Sequence, residues 1–315
     1  AGSDEVVLEG ADGNDRKKIL RAINDLEAGG STAGAAGINT AYDIAQKYFI
    51  DGGNNRVILA TDGDLNVGLS SESELTRLIE EKRESGVFLS VLGFGTGNYK
   101  DNRLEALADY GNGNYSYIDS EKEAKKVLVD EMSGTLFTVA KDVKFQLEFN
   151  PANVKGYRLI GYENRVMAAE DFNDDTKDAG EIGAGHSVTV LYEIVPADSK
   201  MELGESELKY ASDSEGVMGD ELLTVNIRYK EPEGSESKLL TYPVNKSLYS
   251  DKMSADMNFA SCVAEFGMLL RNSRYIGDVT YKDVSAQLSK YDYSDDDYKD
   301  EFIYLVNTMK RRAIN

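Results

Sequence analysis

The chain has 315 residues, a length that predicts two or three domains at about 100–200 residues each. Its 35 Lys and Arg residues against 56 Asp and Glu residues give a net charge of −21, which argues against a broad basic surface for nucleic acid. One Cys and one His exclude an internal disulfide, a Cys-rich zinc module and a HExxH protease, and they disfavour a Ser-His-Asp triad. No apolar run approaches the roughly 18 residues of a transmembrane helix.

The first 140 residues alternate helical and strand patterns, as expected for a parallel α/β sheet. Continuous apolar runs are typical of buried parallel strands, and helical runs carry apolar residues three and four apart. The predicted elements are, in chain order, a helix capped by Asn14 or Asp15, a helix at 33–49, a strand at 56–61, a helix from Ser73 to Gly86, a strand at 87–94, a helix at 101–110, a strand at 115–118 and a helix at 120–137.

Near residue 141 the apolar period changes from 3.6 to 2, which predicts half-buried antiparallel strands. Such strands are predicted at 141–149, 157–162, 187–195, 221–230 and 238–244. The helical period returns at 253, where Met253, Met257 and Met268 are interpreted as core residues, and a last helix follows the acidic residues 294–297. The predicted fold is therefore a doubly wound α/β domain at 1–140, an all-β sandwich-like domain at 141–250, and a helical segment at 251–315 packed on the β domain.

Two groups of oxygen ligands lie where a ligand of an open α/β sheet is expected, beyond the carboxyl ends of the strands. Asp62 directly follows the strand 56–61, and Gly63 permits the sharp turn there. Ser31 and Thr32 directly precede a helix, where their hydroxyls either face the same edge or simply cap the helix. Carboxylate and hydroxyl oxygens without nitrogen or sulfur suit a hard cation such as Mg²⁺. By itself this pair of features is a weak signal.

Six short motifs are spread over the chain. Three lie in the first half: GGSTAGAAGI at 29–38, ATDGDLNVG at 60–68 and VLGFGTG at 91–97. Three lie in the second half: EDFNDD at 170–175, DAGEIGAGH at 178–186 and FGMLLR at 266–271. The first three resemble the von Willebrand factor type A (VWA) domain, and the second three resemble the C-terminal region of bacterial YfbK-like proteins. The resemblance spans nearly the whole chain.

The resemblance to VWA domains implies a metal-ion-dependent adhesion site (MIDAS). In the family this site combines a DxSxS loop, a Thr on a second loop and an Asp after a later strand. Thr32 matches the second part and Asp62 the third, with Ser31 and Asp64 as second-layer residues. The implied ion is Mg²⁺, with Mn²⁺ or Ca²⁺ as alternatives. No DxSxS segment is present within 1–315, so we expect weak or absent metal binding without it.

The family's first strands would precede Ala1, which leaves an N-terminally truncated domain with an open sheet edge. We expect this edge to be completed by the protein's own N-terminal fragment or by a neighbouring copy. The family resemblance also implies a bacterial protein of the cell envelope or a secreted one, and an upstream lipoprotein anchor belongs to this expectation.

Binding without catalysis is the expected function. In the family the metal accepts an Asp or Glu side chain of a protein partner, so the chain is expected to be a protein-binding module and not an enzyme. The alternative is a structural or scaffolding VWA protein whose metal site is unused; a hydrolase or a nucleotide-dependent enzyme ranks third.

Four other features have more ordinary interpretations. The GFGTG run at 93–97 lacks the GxGxxG spacing of a dinucleotide loop and is interpreted as a tight turn. Asp171, Asn173 and Asp175 have the first spacings of a calcium loop but lack its Gly and Glu, so an acidic surface loop is expected. His186 is interpreted as a structural residue at the start of a strand, and Cys262 as a core residue of its helix.

Overall fold

A computed structural model describes the chain at residues 4–26, 34–62, 72–95, 101–132, 134, 137–162, 165–177, 179–203, 219–232 and 234–313. The chain divides into two compact units. The first comprises Ala1–Lys144, Asp175–Ser187 and Arg228–Lys238, and the second comprises Phe145–Asp174, Val188–Ile227 and Leu239–Asn315. The three domains that the sequence predicts, at 1–140, 141–250 and 251–315, remain a prediction.

The first unit contains the predicted parallel sheet with its helices. Its elements are α1 (Arg16–Asn24), α2 (Gly34–Lys47), β1 (Arg56–Thr61), α3 (Glu72–Arg83), β2 (Phe88–Phe94), α4 (Asp101–Tyr110), β3 (Tyr115–Ile118), α5 (Glu121–Lys125) and a π-helix at Lys126–Asp130. The strands are parallel in the order β1-β2-β3, with Leu59 opposite Val91 and Val91 opposite Tyr115. The α/β class predicted from the alternating pattern is therefore confirmed.

One face of this sheet forms the main core. Alternate residues of the strands point to it, because successive side chains of a strand point to opposite faces. Helices α2, α3 and α4 supply the other half of the core. The buried members are Ile38, Tyr42, Val57, Leu75, Ile79, Val87, Leu89, Val91, Leu104, Leu107 and Ala108.

Helix α1 forms where its capping signal predicts it. The Asp15 side chain accepts a hydrogen bond from the Lys18 amide, at 3.4 Å. None of its residues is buried, and Leu20, Ile23 and Leu26 nearby are 53%, 55% and 61% exposed. Ile19 and Ala22 are half-buried, so the helix is amphipathic and much of its apolar side is exposed.

The second half of the chain is rich in antiparallel strands, as its period of 2 predicts. These are β4 (Thr138–Phe149), β5 (Val154–Ile160), β6 (Gly180–Gly183), β7 (Leu191–Pro196), β8 (Glu221–Lys230) and β9 (Lys238–Asn245). They form a four-stranded sheet in the order β6-β4-β8-β9 and a separate pair, β5-β7. The short strand β6 was not predicted, and face-to-face packing of the two sheets as a sandwich stays a prediction.

Three helices end the chain: α6 (Ala255–Leu270), α7 (Tyr281–Leu288) and α8 (Asp297–Ala313). Ser254 caps α6, and Thr280 and Asp283 form a reciprocal capping box at α7. Helix α8 begins with acidic and ends with basic residues, as the helix dipole favours. The buried core of this bundle consists of Cys262, Phe266, Val284, Leu288, Tyr293 and Val306.

The core face of α6 differs in part from the predicted one. Met253 and Met257 are 46% and 44% exposed, whereas Met268 is 7% exposed. The interpretation of Met253 and Met257 as core residues is wrong. Helix α6 has apolar side chains on two opposite sides, and the bulkier side with Phe266 packs into the bundle. No helix among the residues described here is long and apolar enough to cross a membrane.

Candidate functional site

Asp62 lies at the carboxyl end of β1, where the sequence predicts it. In the Val-Ile-Leu run of β1, Val57 is buried and Leu59 packs against the core, which fixes the strand. Asp62, directly after the strand, is exposed. Gly95 follows the neighbouring strand β2, and a Cβ atom placed on it would lie 3.7 Å from Asp62 Cβ. Because β1 and β2 are parallel, both residues lie at the carboxyl ends of the strands, on the same end of the sheet.

Helix α2 approaches this edge with its N-terminus. The loop between α2 and β1 is held by Asn55, which accepts a hydrogen bond from the Ile50 amide and donates one to the Ile50 carbonyl, both at 2.9 Å. Helix α2 then packs back along β1 through Ile38 and Tyr42. Fourteen helical residues span about 21 Å and six strand residues about 20 Å, so we expect the N-terminus of α2 near the level of Asp62.

The other predicted ligands lie outside the described residues. Thr32, Ser31 and Asp64 are in this group, so their convergence with Asp62 stays a prediction. Within the described part of the chain, no three His, Cys, Asp or Glu side chains are grouped to hold a metal ion. Asp62 therefore supplies one carboxylate to the edge, and a complete site needs ligands from elsewhere.

Tyr117 of β3 contacts the same end of the sheet, and the sequence analysis missed it. Its hydroxyl donates a hydrogen bond to the Gly95 carbonyl, with the oxygen atoms 2.6 Å apart. Gly95 has φ +94°, a conformation that favours glycine. The rest of the predicted turn, from Thr96 onwards, lies outside the described residues, so the turn stays a prediction. Nothing in the sequence signalled the hydrogen-bond partner of Gly95, 22 residues later.

Asp175 is part of a hydrogen-bonded network that resembles no calcium loop. Its carboxylate accepts hydrogen bonds from the Ser237 hydroxyl at 2.6 Å and from Arg228 Nη2 at 3.0 Å. The Ser237 hydrogen bond, with a smaller contribution from Arg228, lowers the pKa of Asp175 to about 2. Lys230 donates to the Asp175 carbonyl and forms a largely buried ion pair with Asp142 at 2.6 Å. These contacts fasten the loop to β8.

Cys262 and His186 are the chain's single cysteine and single histidine. Cys262 is fully buried in the helical bundle, as predicted, and burial raises the pKa of its thiol to about 11. His186 lies in the turn after β6, where its amide donates to the Gly183 carbonyl at 3.0 Å, and not at the start of a strand as predicted. Glu265 and Lys290 also lie close enough to the Cys262 thiol to shift its pKa, with smaller effects than that of burial.

The parallel sheet, its flanking helices and the carboxylate at the strand end define a VWA-type α/β domain. The family model described as "von Willebrand factor type A domain" matches residues 3–131. The model described as "Uncharacterized protein YfbK, C-terminal" matches residues 134–311, more than half of the chain. The chain belongs to this YfbK family, as the resemblance implied.

A curated relative and two solved structures are similar to the chain. "Uncharacterized protein YfbK" of Escherichia coli (strain K12) is 43% identical over 311 residues, which cover 97% of this chain and 53% of that protein. The chain thus spans about half the length of this bacterial relative. A von Willebrand factor type A protein from Catenulispora acidiphila has a TM-score of 0.39 and 16% identity, covering 88% of this chain and 62% of its own. BatB, a conserved hypothetical protein from Bacteroides thetaiotaomicron, has a TM-score of 0.30 and 21% identity, covering 38% and 68%.

Proposed function

We propose that this protein is a metal-ion-dependent binding module that captures an Asp or Glu side chain of a protein partner. VWA domains commonly mediate protein interactions, and this chain contains such a domain. The observation that supports the metal site is the exposed Asp62 carboxylate at the strand end, beside the close backbone approach of Gly95. Asp62 and Thr32 would hold the ion, with Ser31 and Asp64 in the next layer.

The donor set favours a hard divalent cation. Carboxylate and hydroxyl oxygens suit Mg²⁺, which keeps several of its waters and tolerates a site with few protein ligands. Mn²⁺ and Ca²⁺ bind the same kind of oxygen. When bound, such a cation would carry positive charge at the protein surface, and a partner carboxylate would bind it through a short, charge-assisted contact. The proposal is one of binding without turnover.

We also propose that β1 takes a further strand at its outer edge. Among the described residues β1 pairs only with β2, and Ile58 on this strand is 48% exposed. An open edge presents unpaired backbone N–H and C=O groups that accept another strand. The protein's own N-terminal fragment or a neighbouring copy would supply it. Light scattering separates the two sources, since only a neighbouring copy gives a concentration-dependent dimer.

The location proposed for this protein is the bacterial cell envelope or the exterior, with an upstream lipoprotein anchor. The support is the family resemblance together with an acidic composition, net charge −21. Fractionation of cells that express the tagged protein tests this proposal, and recovery in the cytosolic fraction alone would contradict it.

The test of the metal-dependent function is partner capture with and without a divalent cation. Protein made from the complete coding sequence is used as bait in Mg²⁺ or in EDTA, alongside Asp62→Ala. Asp51→Ala is the matched control. Asp51 is an exposed carboxylate in the loop between α2 and β1, which precedes the amino end of β1, whereas Asp62 follows its carboxyl end. We expect EDTA and Asp62→Ala to reduce capture at least tenfold and Asp51→Ala to leave it unchanged.

A scaffolding protein with an unused metal site is the second candidate. It is favoured by the absence of a three-ligand group among the described residues. Under this alternative, the partner is captured equally in Mg²⁺ and EDTA, and Asp62→Ala has no effect on capture.

A further inference from the structure

Tyr117 connects the third strand of the parallel sheet to the edge that carries Asp62. Its hydroxyl donates to the Gly95 carbonyl at 2.6 Å, across 22 positions of sequence. Gly95 in turn lies beside Asp62, since a Cβ atom on Gly95 would be 3.7 Å from Asp62 Cβ. One hydrogen bond therefore links β3 to the residue after β2, and that residue lies beside the end of β1.

The strand register explains how the tyrosine reaches this carbonyl. Tyr117 is paired with Gly93 of β2, and Gly93 is paired with Thr61 of β1. Because Gly93 has no side chain, no β2 side chain stands between the Tyr117 ring and the end of the strand. Gly95 itself has a φ of +94°, a conformation that favours glycine.

We infer that Tyr117 is a positioning residue for the Asp62 site: it holds the Gly95 carbonyl in place beside Asp62 and so fixes the orientation of the carboxylate. This inference rests on the proposed metal-binding function of Asp62. Tyr117 acts through Gly95 and is not itself a ligand. Supporting hydrogen bonds of this kind orient the groups that contact an ion, and their loss weakens metal affinity.

The test is Tyr117→Phe, which removes the hydroxyl and keeps the ring. Tyr115→Phe is the matched control, since it removes the same atom two residues earlier from a ring that packs against the core. For each variant, Mg²⁺ affinity is measured by calorimetry on protein from the complete coding sequence. Deuterium uptake of the peptide that spans the end of β2 and Gly95 is measured in parallel, with the thermal unfolding midpoint as a check on folding.

We expect Tyr117→Phe to weaken Mg²⁺ affinity about threefold to tenfold, the size of effect for a single hydrogen bond. We also expect faster deuterium uptake at the end of β2, with an unfolding midpoint close to that of the wild type. Tyr115→Phe leaves affinity and uptake unchanged. Unchanged affinity and uptake in Tyr117→Phe would overturn the inference, as would an effect on the unfolding midpoint alone, which indicates a merely structural role.

Failure of the proposed function gives a different result. If the wild type and Asp62→Ala bind Mg²⁺ equally, or neither binds it, Asp62 is no metal ligand and the metal-dependent function is wrong. The inference that Tyr117 serves a metal site is then overturned with it, while deuterium uptake still reports whether Tyr117 holds the end of β2 in place. If Asp62→Ala loses the ion and Tyr117→Phe keeps it, only the inference about Tyr117 is overturned.

Discussion

Gly95 is the residue at which backbone conformation and the candidate site constrain each other. Its φ of +94° is strained for any residue with a side chain, and a Cβ atom placed on it would be in ordinary van der Waals contact with Asp62 Cβ, at 3.7 Å. The carbonyl of the same residue receives the Tyr117 hydrogen bond. One small residue therefore combines a restricted backbone conformation with a position beside the carboxylate.

Replacing Gly95 by Ala tests this link. We expect Gly95→Ala to lower the free energy of unfolding by about 1–3 kcal/mol, because alanine is strained at positive φ. We also expect weaker Mg²⁺ binding, since a displaced Gly95 backbone would disturb the neighbouring Asp62. Gly52→Ala is the control, because Gly52 has φ +65° but no atom within 4 Å of the added Cβ. It should lose stability in urea denaturation while keeping Mg²⁺ affinity; equal losses of affinity in both variants would contradict the link.

Asp175 supplies a prediction on pH dependence. The hydrogen bond from Ser237, aided by Arg228, lowers the pKa of its carboxyl from 3.8 to about 2 in the folded state. A group with a depressed folded pKa stabilises the fold above its unfolded pKa, and this contribution is lost as the pH falls towards the folded value. We therefore expect the wild type to exceed Asp175→Asn in stability at pH 6, with the difference shrinking below about pH 4 and vanishing near pH 2.

Chemical denaturation at a series of pH values measures this difference. Ser237→Ala removes the largest cause of the shift, so it should show part of the same pH-dependent loss. A stability difference between the wild type and Asp175→Asn that is equal at pH 6 and pH 2.5 would show that the Asp175 network does not stabilise the folded carboxylate.

At the scale of elements, period and capping signals predicted most helices and strands, but they did not decide which faces are buried. Asp15 capped α1 as expected, yet Leu20 and Ile23 are exposed. Helix α6 carries apolar residues on opposite sides, and periodicity alone does not rank them. The bundle takes the side with Phe266, which packs edge to face on Phe302 with centroids 5.4 Å apart.

The two sides of α6 should differ in energy. We expect Phe266→Ala to lower the free energy of unfolding by about 3–5 kcal/mol, since it leaves a cavity in the bundle core. Met257→Ala is the control on the same helix, where a 44% exposed side chain makes the expected loss under about 1 kcal/mol. Urea denaturation followed by circular dichroism measures both. Equal losses would mean that Met257 is as much a core residue as Phe266.

At the scale of the whole molecule, the position of Asp62 was predictable and its surroundings were not. A parallel strand that ends in Thr-Asp-Gly places its carboxylate at the edge of the sheet by rule, and Asp62 lies there. The Tyr117 hydrogen bond depends on a strand register that a sequence alone leaves open. The same holds for Asp175, whose partners Arg228 and Ser237 are more than 50 positions away.

The central claim is that Asp62 and Thr32 share a divalent ion. The most direct measurement is anomalous diffraction from Mn²⁺-soaked crystals of protein made from the complete coding sequence. The account predicts a peak about 2.2 Å from an Asp62 carboxylate oxygen, with the Thr32 hydroxyl bound directly or through one water. A structure with the Thr32 hydroxyl more than about 8 Å from the Asp62 carboxylate and no peak between them would contradict it.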